Sequence, residues 1–260
     1  MALLCIALLP ISAAAAGLAI SPGGGWSYEA GVLRINSNGS YTITMAPGVT
    51  TTEDIIKVAN GANATITLNN VNIRTRIVTI AFEMGDDAVV TLILTGTNTL
   101  EAQRFNALYA GYRSILTIDG AGILELKNDS SSSRIGFDCF ESMGDVIIKG
   151  GTVTAIASNS IERGRTGIRV GGNFTVEGGT VTAVGGDGND FNGTGIYVTG
   201  DFTVKDGAVS ATGGKGASAH FGGSGIDVIG KFTVKDGTVT ATGGDNGTVG
   251  GVASSSLMTS

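Results

Sequence analysis

Histidine, cysteine and proline are almost missing from this 260-residue chain, which has one, two and three of them. A lone His220 rules out a histidine-built metal or catalytic cluster, and it reads as a loop residue. Cys5 falls in the apolar opening run, which leaves Cys139 with no intramolecular disulfide partner. Cys139 reads as a buried thiol filling a core position. No lysine or arginine precedes Arg34, and the net charge is −6 without a basic stripe. That excludes nucleic acid as a partner. After the opening run no stretch is long and apolar enough to span a membrane, so an integral membrane protein is not expected. No amphipathic helix of useful length appears, and leucine is sparse in the repeated part. Together these exclude a leucine-rich repeat, and a propeller blade would need a longer period.

Glycine is plentiful, with 43 residues and no collagen-type period. It punctuates a repeat. "TGIRVGGNFTVEGGTVTAVGG" (166–186) returns as "TGIYVTGDFTVKDGAVSATGG" (194–214) and "SGIDVIGKFTVKDGTVTATGG" (224–244). "DVIIKGGTVTA", "SILTIDGAGILELK", "VVTLILTGTNTLEA" and "NATITLNNVNI" carry the same cadence upstream. A fixed period of this size means a solenoid, propeller or array. Each unit holds three short segments that alternate apolar and small polar residues, rich in Val, Ile, Thr and Phe, which argues strands. Gly pairs or Asp-Gly end nearly every segment, where the chain must turn sharply. The reading is all-β: a right-handed, three-sided parallel β-helix of about eight rungs, roughly 38 Å long at ~4.8 Å per rung. The core column of the central segments runs Ile43, Leu68, Leu94, Ile118, Ile148, Val176, Val204 and Val234. In the clearest rung Ile168, Val170, Phe174, Val176, Val181 and Ala183 point inward. No rung could bury such a set alone, so neighbouring rungs must cover it.

The ends differ. Residues 1–16, an apolar run closing on small residues, read as a secretory signal peptide cleaved near Ala16. Residues 17–50 form a leading segment and first rung, 51–251 the repeat domain, and 252–260 a tail without a capping element. The expected location is secreted or at the cell surface.

Three surface features stand out. The loop 185–195 offers Asp187, Asn189 and Asp190, oxygen donors that suit calcium, although the same residues are ordinary turn chemistry. The outward position of the first strand carries Arg169, Tyr197 and Asp227, with Asp138 placed before them. Phe191 and Phe221 lie near this row, where they line a ligand or pack the loops. Tyr197 would stack on a sugar ring and Arg169 would pair a uronate carboxylate, so an acidic polysaccharide is expected to bind better than a neutral one. The outward side of the third strand carries Thr152/Thr154, Thr180/Thr182 and Thr238/Thr240, a hydroxyl array like those of ice-binding solenoids and also simply good strand residues. The only acid–base groupings are Asp138 with Arg134, and Asp187 with Arg165 and Arg169. Neither makes a convincing catalytic set, so no enzyme activity is expected.

The string "GNFTVEGGTVTAVGG…GTGIYV" resembles the repeats of secreted bacterial right-handed β-helix proteins of the pectate-lyase-like group. These are commonly described as carbohydrate-binding domain-containing proteins. The resemblance spans roughly Trp26 to Gly251 and implies the fold and a secreted, non-catalytic polysaccharide binder. A structural stalk or adhesin segment without its own ligand is the competing class. A polysaccharide lyase or an ice-binding solenoid is less well supported.

Overall fold

The repeat closes into a rod. The computed structural model describes residues 17–76, 79–129, 137–160, 162–189, 192–216 and 222–245. Among these there is no helix, and the strands form three sheets of nine, nine and seven strands. In chain order each coil contributes one strand to a first face, one to a second and one to a third. Ile168–Val170, Phe174–Val176 and Thr180–Val184 make one such coil. Every coil-to-coil pairing is parallel and in register: Ile168 lies on Ile196, Phe174 on Phe202, and Val181 on Val209.

Seven coils have strands on all three faces. An eighth, at the N-terminal end, has Val32–Ile35 and Gly39–Met45 on two faces. Its third face is reduced to a single bridge between Thr52 and Ile73. One expected register changes. Ile118 pairs with Leu92, and Leu94 lies opposite Gly120. The two inward leucines of one long strand are interchangeable by period, so a slip of two residues leaves the apolar pattern intact.

The expected core is in place. Ile168, Val170, Phe174, Val176, Val181 and Ala183 are all fully buried. Phe174, Phe202 and Phe232 form one stack, with ring centroids 4.8 and 5.0 Å apart and planes 9° and 17° from parallel. Cys139 is buried, and burial pushes its thiol far above the ordinary range, so it is inert packing. Gly151, Gly179 and Gly207 hold the turn between the second and third faces at φ of 76°, 76° and 85°. A Cβ on Gly179 or Gly207 would come within 2.5 Å of the carbonyl oxygen one coil below. Only glycine satisfies both conditions.

Side chains cap the turns as ladders. Asp145 Oδ1 accepts from Asn173 N, Asn173 Oδ1 from Asp201 N, and Asp201 Oδ1 from Lys231 N, at 2.7, 3.0 and 2.9 Å. Each coil thus satisfies a backbone donor of the next that would otherwise lack a partner. At the N-terminal end two strands pair antiparallel with the sheet edges: Leu18–Ser21 on Gly39–Met45, and Trp26–Glu29 on Val32–Ile35. They block edges that would otherwise template further pairing.

Replacing Phe202 by Ala removes the middle ring of a closed stack. It should cost about 3–5 kcal/mol in an equilibrium unfolding experiment, as for other buried aromatics.

Candidate binding site on the first face

Strands of the first face are short, so each presents one central outward side chain. Register places these in a single column: Arg34, Lys57, Glu83, Tyr109, Glu141, Arg169, Tyr197 and Asp227. Arg169, Tyr197 and Asp227 stand together as expected. Asp138 does not belong to the column, because the residue paired with Arg169 is Glu141. The misplacement has a simple origin. "GFD" at 136–138 imitates "GIR" at 167–169, but Cys139 holds the place of Gly167, and Phe140, not Phe137, is the inward residue opposite Ile168.

Asp138 nevertheless reaches the column from the preceding turn. Its Oδ2 lies 3.7 Å from Arg169 Nη1, and Glu141 Oε1 lies 4.0 Å from Arg169 Nε. Thr166 N donates to Asp138 Oδ1 at 2.8 Å, and Asn106 Nδ2 donates to Glu141 Oε2 at 3.1 Å. The same Asn106 amide donates to the Asp138 carbonyl oxygen at 2.8 Å. Two carboxylates are therefore tethered beside one guanidinium. Burial pushes the Asp138 carboxyl up, against the opposing pull of the Thr166 N–H and of Arg169. Burial and then the charge of Asp138 push Glu141 up as well. Burial and the neighbouring carboxylates, Glu141 first, keep the Tyr109 phenol neutral beyond its usual range.

The guanidinium of Arg169 sits over the Tyr197 ring, 5.0 Å from its centroid. One face of that ring is thus covered by a cation–π contact. Tyr197, expected to stack on a sugar, has Arg169 over one face of its ring. Arg169, expected to pair a uronate, faces two carboxylates of the protein itself. Glu141, Asn106 and Tyr109 are the site residues that the sequence reading missed. Phe191 and Phe221 lie outside the described residues, as do Arg134 and His220. A different aromatic pair, Phe105 on Phe137, stacks at 4.2 Å in the turns leading into this face.

In the calcium candidate, Asp187 is a ladder residue. Its Oδ1 accepts from Lys215 N at 2.6 Å, and its own N–H donates to Asn159 Oδ1 at 2.9 Å. Asn189 is exposed, and Asp190 lies outside the described residues. Among the described residues no three acidic, histidine or cysteine side chains converge as a metal set. The third-face threonines pair in register, Thr152 on Thr180 and Thr154 on Thr182, with Ala208 and Ser210 next. A second threonine column, unforeseen, runs down the second face through Thr65, Thr91, Thr117, Thr175, Thr203 and Thr233, broken by Ile147. A cleft of about 310 Å³ opens on the third face between Arg74, Lys127, Asp129 and Ser158. Its cations are internally paired, Arg74 with Glu101 and Lys127 with Glu125, each at 2.8 Å.

Comparison with family models, with curated proteins and with solved structures finds no match for this chain. Fold and site together define a three-sided parallel β-solenoid with one chemically individual face. No helix among the described residues is long and apolar enough to cross a membrane.

A raised carboxyl pKa means that the folded state holds its proton more tightly than the unfolded chain. The ionised form then lowers stability above the folded pKa, and the loss is relieved as pH falls through it. Glu141→Gln should therefore melt above the parent at pH 7, and the two melting temperatures should converge on acidification. Parallel thermal scans of parent and variant across this range check it.

Proposed function

We propose that the protein binds a hydroxyl-rich, uncharged polysaccharide along its first face, outside the cell, without cleaving it. The observation that carries this reading is Arg169 held between the Tyr197 ring and the tethered pair of Asp138 and Glu141. Tethered carboxylates accept hydrogen bonds from sugar hydroxyls, and the tyrosine hydroxyls and Arg169 supply donors. Strands fix Tyr109, Glu141, Arg169 and Tyr197, and hydrogen bonds from Thr166 and Asn106 tether the two carboxylates. The carboxylates also turn the charge preference around. A uronate would have to displace both from Arg169 and would meet their repulsion, whereas a neutral chain meets neither obstacle.

The test is titration calorimetry of the full chain against hydroxyethyl cellulose and carboxymethyl cellulose, alongside a glycan array of neutral and acidic chains. The parent should bind neutral members, and the Arg169→Ala, Tyr197→Ala double variant should lose that binding. Its melting temperature should fall somewhat, because Asp138 and Glu141, only 16% and 20% exposed, lose their cation, so binding is compared at a temperature where both proteins are folded. Preference for acidic chains would overturn the charge argument alone. Absence of any glycan binding would leave the rod as a spacer.

A further inference from the structure

One buried carboxylate has no cation. Asp54 is only 7% exposed, yet no lysine or arginine among the described residues lies within ion-pair distance of it. It accepts instead from Gly17 N at 2.7 Å and from the Tyr28 hydroxyl at 3.2 Å. A buried, ionised carboxylate ordinarily has a charged partner. Gly17 is fixed from its other side as well, since its carbonyl oxygen accepts from Ala46 N at 3.0 Å. No larger residue fits there. A Cβ on Gly17 would meet Thr52 Oγ1 at 1.9 Å and Asp54 Oδ2 at 2.8 Å. Immediately before Gly17 stand four alanines, 13–16, with the small-residue spacing that signal peptidases cut.

We propose that cleavage between Ala16 and Gly17 supplies the missing cation: the new α-ammonium of Gly17 becomes the counter-ion of Asp54 and locks the N-terminal end of the rod. An endopeptidase adds the hydroxyl of water to the Ala16 carbonyl carbon and its proton to the Gly17 nitrogen. A second proton from solvent completes the ammonium, whose ordinary pKa of about 7.7–8.0 keeps it charged at neutral pH. The neutral N–H already aimed at Asp54 Oδ2 becomes a charge-assisted donor, roughly twice as strong. The lock lies where Leu18–Ser21 closes one sheet edge and Tyr28 belongs to the strand closing another. Maturation would thus tighten the cap at both edges through a single carboxylate. This inference is independent of what the first face binds.

The full 260-residue chain is expressed once in a host that exports it and once without export, each with Asp54 and with Asp54→Asn. Intact mass and N-terminal sequencing of the exported protein should give Gly17 as the first residue. Processing should raise Tm by about 3–8 °C more with Asp54 than with Asn, the size expected of a charged hydrogen bond in a chain of this length. If Asp54→Asn does not fold, a pH series on the Asp54 protein decides. An ammonium held by a carboxylate has a raised folded pKa, so the gain from processing should disappear as pH rises through it. A mature N-terminus elsewhere, an equal gain in both backgrounds, or a gain that survives alkaline pH would overturn the proposal.

Discussion

A parallel solenoid obliges every residue to stand about 4.8 Å from its own counterpart in the next coil. Everything else in this rod follows from how a side chain tolerates its neighbour in that column. Apolar side chains tolerate it well. Phenylalanines 174, 202 and 232 stack nearly parallel, and the inward isoleucines and valines repeat unchanged. Asparagine and aspartate tolerate it by turning sideways, each accepting from the backbone of the next coil. Charges of one sign tolerate it less well, and several columns pair opposite charges between coils, although Arg34 lies directly on Lys57. Lys57 pairs with Glu83, Arg74 with Glu101, Asp87 with Arg113, and Glu177 with Lys205, each one coil apart.

The same constraint separates what could be read from the sequence from what could not. Inward positions were legible because alternation and glycine punctuation both report them, and they agree across the three clear repeats. The register of the fourth rung was not, because Leu92 and Leu94 satisfy the pattern equally and only the glycine at 120 distinguishes them in space. The site was half legible. Arg169, Tyr197 and Asp227 were found because their inward neighbours repeat without change. Glu141 was hidden by the decoy "GFD", and Asn106 by distance, since it lies 35 residues from the carboxylate that it holds.

Like-on-like stacking also makes the N-terminal end of the rod different in kind from its middle. Between coils, backbone and side chain are satisfied by repetition. At the N-terminal end repetition stops, and the chain changes device: antiparallel strands cover the edges, and the third face shrinks to one bridge. By register Asp54 shares its column with Ile80, Asn106 and Asp138, but only Asp138 has an arginine of a following coil beside it. The two groups that reach Asp54, Gly17 N and the Tyr28 hydroxyl, both come from the leading segment.

Avoidance of like charges explains part of the first-face column, since Glu83 follows Lys57, Tyr109 separates Glu83 from Glu141, and Arg169 follows Glu141. It does not explain the choice of residues. On the second face the same spacing problem is solved with threonine in Thr65, Thr91, Thr117, Thr175, Thr203 and Thr233, a small residue suited to strands that needs no partner. Threonine on the first face would have built the same rod. Instead that face carries arginine, glutamate and tyrosine, adds Asp138 from the turn, and enlists Asn106 to hold Glu141 in place. Two carboxyls there are pushed up by burial, which costs stability at neutral pH. A face that departs from the easy solution at a cost to folding is the one on which the proposed binding role rests.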